Sequence, residues 1–301
     1  MIHSDWLLAF SVFAEDANLS RAAKRLHLSQ PAVHAQLRKL SDALGVPLYH
    51  RAGRGLVLTR EGIEVAAFAR DAEERSRDLV AKMRGESADA PRRVVLAAGA
   101  GALLHVLGEG LRAFGRAYEG RLEILTADAS GAADAVLRGV AHVGVIAVPC
   151  EAGSAIETGR DGTEFATSRL TEVGQLVVVP RGHRLATRRR VALADLEGER
   201  LVLPPEGRPQ RVALDAALAA RGVRVVVGAL ATGWELTLRL VELDAGIAFV
   251  NASVKIPRTL VARPIAELPR LRYVALTRRR PREDAASLVR ALVTHGDSWK
   301  S

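Results

Sequence analysis

The chain has 301 residues, 49% of them hydrophobic, and a formal net charge of +9. This length suits two domains or one large one with a real core, and the single cysteine, Cys150, excludes an intramolecular disulfide. The amino terminus lacks the basic-then-apolar order of a secretory signal, and the longest apolar run, 94–104, is too short to span a bilayer. We therefore expect a cytoplasmic protein without membrane contact.

Positive charge is concentrated near the amino terminus. Residues 17–60 hold eight lysines and arginines against one acidic residue, whereas the flanking segments 1–16 and 61–90 are net acidic. A basic segment of this kind suits phosphate neutralisation, in which each Lys or Arg releases counterions. Charge alone is equally consistent with an arginine-rich chain whose surface charges are solvated.

Three short helices are predicted in the first 44 residues. Apolar side chains at helical spacing over 6–13 predict the first. Ser20 is placed as the N-cap of the second. Ser29 is placed as the N-cap of the third, over 30–44, with Pro31 in its first turn. The second and third helices form a helix-turn-helix, whose later helix is of the kind that enters the major groove of DNA.

Two short strands around a glycine turn at 53–55 predict a wing after this motif. Thr59 is then expected to cap a long helix, roughly 60–85, before a linker that ends at Pro91. A weak heptad seam along this helix favours dimerisation, with packing on its own domain as the alternative. The seam residues are Val65, Ala69, Ala72, Ser76, Leu79 and Met83.

From Arg92 onward, strand and helix patterns alternate, which indicates an α/β fold with largely parallel sheets. Helices are predicted near 101–117, 130–139, 209–221, 233–244 and 283–295. Strands are predicted at 93–98, 121–126, 142–148, 173–180, 200–203, 223–229, 246–250, 259–263 and 272–278.

The amino-terminal motifs resemble those of the LysR-type transcriptional regulators. They are AAKRLHLSQPAV at 22–33, LGVPLYHR at 44–51 and LTREG at 58–62. The likeness is strong over about 3–62 and continues as architecture through the rest of the chain. It implies an N-terminal all-α winged helix-turn-helix plus a long linker helix. It also implies a C-terminal α/β periplasmic-binding-protein-like effector domain of two lobes.

The resemblance also sets the expected boundaries. The winged helix-turn-helix occupies 1–60, the linker or dimerisation helix with its hinge 61–90, and the effector domain 91–301. Lobe I is expected at about 91–160 and 268–301, and lobe II at about 161–267.

The implied function is sequence-specific transcriptional regulation. The expected partners are double-stranded promoter DNA, a small-molecule effector bound between the lobes, and RNA polymerase. The chain is also expected to bind further copies of itself in a homodimer or homotetramer. Closure of the cleft on the effector would shift the spacing of the DNA-binding heads. Two alternatives stay open: a binding module or orphan enzyme that uses the helix-turn-helix for protein contacts, and a regulator with a vestigial sensor half.

Sequence-specific contacts are expected mainly from the third helix and the wing. Gln30 suits adenine N6/N7, Arg38 and Lys39 suit phosphate or a guanine edge, and Arg51 and Arg54 suit the backbone or minor groove. The sequence departs from the family at His34 and Ala35, where serine and arginine are usual, which predicts an atypical half-site. The full set is Ser20, Arg21, Ser29, Gln30, Pro31, Ala32, His34, Ala35, Arg38, Lys39, Arg51 and Arg54.

Effector contacts are expected at strand–helix junctions. The glycine-rich turn at 99–101 forms a nest of backbone N–H groups suited to an anion, although it lacks the third glycine of a dinucleotide fingerprint. Arg208 or Arg211 would pair an acidic ligand, whereas Asp128 favours a positive group. The full set is Gly99, Ala100, Gly101, Thr126, Asp128, Ser130, Arg208, Thr232 and Trp234.

No catalytic chemistry is predicted. Four of the histidines, His105, His142, His183 and His295, lack metal-ligand spacing, and Cys150 has no evident base. Neither a nucleophile elbow nor a phosphate loop occurs in the sequence. We therefore expect a non-enzymatic protein that needs no cofactor or metal.

Overall fold

The computed structural model describes residues 2–53, 55–83, 93–150, 165–206, 209–265 and 267–300. No helix in these ranges is long and apolar enough to cross a membrane. The amino-terminal part consists of α1 (Ser4–Phe13), α2 (Leu19–Leu26), α3 (Gln30–Leu44), β1 (Tyr49–Ala52), β2 (Gly55–Leu58) and α4 (Arg60–Met83).

The first three helices pack around a small apolar core. Phe10 and Phe13 of α1 are fully buried against Val33, Leu37 and Leu40 of α3. The short side chains of α2 allow its close approach to this core, because Ala22 and Ala23 are both buried. This packing leaves the outer face of α3 exposed.

The helix caps differ from prediction in one place. Asn18, and not Ser20, is the N-cap of α2, since its side chain accepts a hydrogen bond from the Arg21 amide at 3.0 Å. Asn18 competes well for this position because its carboxamide oxygen reaches the third amide of the helix. Ser29 caps α3 as predicted, accepting from the Ala32 amide at 3.3 Å.

The wing and α4 are joined by a tight capping turn. Strands β1 and β2 pair antiparallel, with Tyr49 opposite Leu58. Thr59 Oγ1 then accepts from the Gly62 amide at 3.0 Å, which caps α4 as predicted, and donates to the Pro47 carbonyl at 2.7 Å.

Lobe I is built on a five-stranded sheet with helices on both faces. Its elements are β3 (Arg93–Ala98), α5 (Ala100–His105), α6 (Gly108–Ala117), β4 (Arg121–Thr126), α7 (Ala129–Leu137), β5 (Val143–Pro149), β6 (Phe165–Val173), β12 (Leu271–Arg278) and α10 (Glu283–Thr294). The strand order is β4-β3-β5-β12-β6. One face packs on α5, α6 and α10, and α7 covers the other.

Lobe II has a second five-stranded sheet, also covered on both faces. Its elements are β7 (Gln175–Pro180), β8 (Arg200–Leu203), α8 (Pro209–Ala219), β9 (Val226–Leu230), α9 (Trp234–Glu242), β10 (Ile247–Asn251) and β11 (Leu260–Ile265). The strand order is β11-β7-β10-β8-β9. The two faces carry separate apolar clusters, one around α8 and the 3₁₀ turns at 184–187 and 193–196, the other around α9.

The two sheets correct two predictions. They contain as many antiparallel as parallel strand pairs, so they are mixed and not largely parallel. Residues 165–173 were expected to lie in lobe II, but they form strand β6, which pairs with β12 and therefore belongs to lobe I. The chain crosses to lobe II at Gly174 and returns between Ile265 and Leu271.

Helix α4 also contacts lobe I of its own chain. A Cβ atom at Gly139 would lie 3.3 Å from the Cα of Ala67, so the turn after α7 rests on the helix. Arg70 donates to the Arg138 carbonyl, and Asp71 pairs with Arg278 at 2.5 Å. Burial lowers the pKa of the Arg70 guanidinium in this contact.

Candidate functional site

Four of the residues predicted to face DNA line one groove. Ser20 of α2, Gln30 and His34 of α3, and Arg51 of the wing surround a groove of about 350 Å³. The Ser20 hydroxyl donates to Gln30 Oε1 at 3.1 Å. Because that bond uses the carboxamide oxygen and not the NH2 group, Gln30 can act as a hydrogen-bond donor at the groove.

The predicted DNA-facing basic residues of α2 and α3 differ in how far their charge is neutralised by acidic neighbours. Arg21 is paired with Asp16 at 2.6 Å, so part of its charge is already neutralised. Arg38 lies 3.9 Å from Asp42, with both side chains more than two-thirds exposed, and such a pair is weak. Lys39 is exposed on the same helix.

The other predicted DNA-facing residues have more varied positions. Pro31 and Ala35 are exposed on α3, whereas Ala32 is half-buried. Ser29 uses its hydroxyl to cap α3. Arg54 lies outside the described residues. Sequence reasoning missed Asn18 and Tyr49, which also line the groove. For Asn18, the available signal was its suitability as an N-cap at the start of the helix-turn-helix.

A second site lies in the cleft between lobes I and II, with a volume of about 330 Å³. Volumes of this order suit small-molecule ligands. Five of the predicted effector residues line it: Gly99, Gly101, Asp128, Thr232 and Trp234. Asp128 serves at the same time as the N-cap of α7, accepting from the Gly131 amide at 2.9 Å.

The glycine turn is not the open anion nest that was expected. A Cβ atom at Gly101 would lie 2.5 Å from the indole of Trp234, so the ring rests directly on this turn. Helix α5 has only six residues, which weakens any dipole at its start. The turn is therefore covered by the indole ring of Trp234, which packs against it.

Helices α5 and α9 meet beside Trp234, one of the residues that line the cleft. His105 Nε2 lies 2.9 Å from Glu235 Oε1, and the rings of His105 and Trp234 are 5.6 Å apart. These two helices belong to different lobes. The contact thus joins the two lobes next to the cleft.

Three predicted effector residues do not line the cleft. Ala100, Thr126 and Ser130 are all exposed and lie outside its lining. Thr126 ends the edge strand β4, which directs it to solvent, and Ser130 follows the N-terminal residue of α7. Arg208 lies outside the described residues.

Sequence reasoning also missed polar residues at the back of the cleft. Gln175, Asn251 and Tyr273 line it, and Asn251 Nδ2 donates to Tyr273 Oη at 2.9 Å. Gln175 Nε2 donates to the Pro269 carbonyl at 2.9 Å. Burial raises the pKa of Tyr273 to about 12, so its hydroxyl is protonated at neutral pH.

Two family models together match most of the chain. The model described as "Bacterial regulatory helix-turn-helix protein, lysR family" matches residues 4–63, and "LysR substrate binding domain" matches 87–297. The chain belongs to the LysR family of transcriptional regulators. This confirms the resemblance and the predicted fold class. The protein is a LysR-type DNA-binding regulator with an effector-binding domain, and the expectation that it is not an enzyme is confirmed by the family.

Curated relatives of this LysR-type regulator are themselves named as regulators. The RuBisCO operon transcriptional regulator of Allochromatium vinosum is 28% identical over 257 residues, covering 81% of this chain and 78% of the relative. The HTH-type transcriptional regulator TfdS of Cupriavidus pinatubonensis is 32% identical over 252 residues, covering 81% of both chains.

Solved structures share the fold of the regulator over nearly its full length. A full-length OxyR variant from Pseudomonas aeruginosa has a TM-score of 0.68 at 20% identity, covering 97% of this chain and 98% of that one. ArgP from Mycobacterium tuberculosis has a TM-score of 0.69 at 15% identity, covering 97% and 96%.

Proposed function

We propose that this regulator reads a spaced, roughly two-fold operator as a homo-oligomer in the cytoplasm. Residues around the α2–α3–wing groove make the sequence-specific contacts. A small molecule bound between the lobes changes the spacing of the DNA-binding heads and so controls transcription, with RNA polymerase as a further partner.

The convergence of Ser20, Gln30, His34 and Arg51 in one groove carries this proposal. These side chains come from two helices and a strand, and together they offer donors, acceptors and positive charge at one surface. Base edges are read by such convergent donors and acceptors, while phosphates are held by cations beside them. His34 stands where the family usually has serine, so the preferred half-site is expected to be atypical.

An exposed apolar stripe on α4 supports the homo-oligomer. Phe68, Leu79 and Met83 are each more than half exposed, and their spacing places them on one helical face with Ala72. Large apolar side chains at helical spacing commonly mark an interface. A dimer or tetramer built on this face would present two heads to one operator.

Operator binding is tested with the DNA between this gene and its divergent neighbour. We expect sequence-selective binding of the full-length protein whose affinity falls steeply with salt, because Lys and Arg displace counterions from phosphates. A scrambled fragment of equal composition is the control. Absence of binding at low salt would remove the proposal.

Effector control is tested separately from DNA binding. A thermal-shift screen of metabolites should find compounds that raise the melting temperature, since a ligand that binds only the folded state stabilises it. The same compounds should change operator affinity or DNA bending. A screen without any stabilising compound would favour a vestigial sensor half.

A further inference from the structure

Three uncharged polar side chains cluster at the back of the cleft, where the chain crosses between lobes. Gln175 and Asn251 are directly opposite in the antiparallel pairing of β7 with β10, so their side chains share one face of the sheet. Asn251 reaches Tyr273 of lobe I at 2.9 Å. The cluster therefore spans both sheets.

Each member has hydrogen-bonding capacity beyond its bonds within the protein. Tyr273 Oη accepts from Asn251, and that bond does not use the hydroxyl proton. Gln175 and Asn251 both donate through their amide nitrogens, which leaves their carbonyl oxygens to accept. The cluster thus offers one donor and two acceptors beside each other.

The charges that line the cleft argue against a ligand whose polar end at this cluster is ionised. Among the described lining residues, Asp128 is the one charged side chain, and it already caps α7. A buried carboxylate or ammonium needs an opposite charge or dense hydrogen bonding to offset its desolvation. The three side chains of the cluster carry no charge of either sign and so cannot pair with an ionised group.

The walls in front of the cluster are apolar and partly aromatic. Trp234 and Phe249 line the cleft together with aliphatic side chains such as Val202 and Leu203. Aromatic side chains prefer stacked or edge contacts with flat rings. A planar body therefore suits the space between the walls.

We propose that the cleft holds an uncharged planar ligand whose polar end is a carboxamide or lactam. Its carbonyl accepts from the Tyr273 hydroxyl, and its N–H donates to the side-chain carbonyl of Gln175. This inference rests on the proposed function, in which the cleft is the effector site. It differs from the expectation that Arg208 pairs an acidic ligand.

Three probes of nearly equal shape test the ligand class: benzamide, benzoate and benzylamine. Calorimetric titration of the full-length wild-type protein should show benzamide binding at least about tenfold more tightly than either ion, because only the amide matches the cluster. Equal or tighter binding of benzoate or benzylamine overturns the proposal. So does the absence of benzamide binding.

Two variants locate the bound amide. Tyr273→Phe removes the hydrogen-bond donor, and Gln175→Met removes a hydrogen-bond acceptor without touching the Asn251–Tyr273 bond. Each variant should bind benzamide about tenfold more weakly than the wild-type protein. Tyr118→Phe is the matched control, since it removes a hydroxyl of lobe I outside the cleft lining, and it should leave affinity unchanged. Unchanged affinity in folded Gln175→Met overturns the proposal.

A last comparison separates this inference from the function on which it rests. If benzoate binds and Arg208→Ala abolishes its binding, the acidic-ligand expectation is correct and the amide proposal is wrong. Promoter binding is measured on the same wild-type sample. Its loss counts against the regulator proposal alone, because the calorimetry with benzamide needs no DNA.

Discussion

The Ser20 hydroxyl donates a hydrogen bond of 3.1 Å to the carboxamide oxygen of Gln30 at the α2–α3–wing groove. We predict that Ser20→Ala reduces discrimination between the operator and single-base variants, because the carboxamide is no longer oriented, at a cost of about 1 kcal/mol. Competition binding with operator variants measures this. Arg112→Ala, an exposed charge on α6 far from the groove, is the control; equal discrimination in both variants would contradict the prediction.

Gly62 is constrained by close packing at the start of α4. A Cβ atom there would lie 1.9 Å from the Leu48 carbonyl oxygen, and Leu48 is fully buried. We predict that Gly62→Ala destabilises the amino-terminal domain by about 3 kcal/mol, since backbone must move. Denaturant unfolding measures the loss.

Gly115→Ala is the matched control for that substitution. Gly115 lies within α6, and a Cβ atom there would meet nothing within 4 Å. Alanine has the higher helix propensity, so this variant should be stabilised by about 0.5–1 kcal/mol. Equal effects of the two substitutions would show that packing at Leu48 is not the cause.

Several residues that line the α2–α3–wing groove could be located from sequence, because they belong to one local motif. Ser20, Gln30 and His34 follow from helix caps and a short turn. The back of the cleft was not predictable, since Gln175, Asn251 and Tyr273 meet only through the pairing of distant strands. Periodicity within a segment carries no information on which strand lies opposite.

At the scale of elements, strands with a long apolar run were predicted at their observed positions, whereas a strand rich in polar residues was not predicted. Strand β3 begins and ends as predicted, at 93–98. Strand β6 was missed, because its sequence FATSRLTEV alternates polar residues without an apolar run. A single helix was predicted over 101–117, but it breaks into α5 and α6 at the buried pair Val106 and Leu107.

The contact between α5 and α9 makes a prediction at this scale. Glu235→Ala removes the His105–Glu235 pair that joins the two lobes. Glu235 is more than half exposed, so the pair contributes at most about 1 kcal/mol. We expect the cleft of the ligand-free variant to open more often than that of the wild-type protein. The backbone amides of α5 and α9 should then exchange their hydrogens about twofold to fivefold faster.

Hydrogen-exchange mass spectrometry of the full-length protein measures this opening. Glu109→Ala is the control, because it breaks a comparable exposed pair with Arg112 inside α6 alone. Faster exchange in both variants would indicate a general loss of stability. Unchanged exchange in Glu235→Ala would show that the pair does not hold the lobes together.

At the scale of the whole molecule, α4 has two roles along its length. Its first half packs on its own chain, where Ala67 and Ala69 are buried and Asp71 pairs with Arg278. Its second half leaves Leu79 and Met83 exposed. Internal packing therefore accounts for Ala69 of the predicted seam, whereas Leu79 and Met83 belong to the face through which we propose that the chain dimerises.

Introducing a charge into the exposed segment tests how assembly and DNA binding are linked. We predict that Leu79→Asp weakens self-association at least about tenfold, because a desolvated carboxylate replaces apolar contact in both copies. Operator affinity should fall with it, since each head then binds its half-site alone. Val293→Asp, on an exposed apolar residue of α10, should change neither. Sedimentation velocity gives the oligomeric state, and an unchanged assembly in Leu79→Asp would place the interface elsewhere.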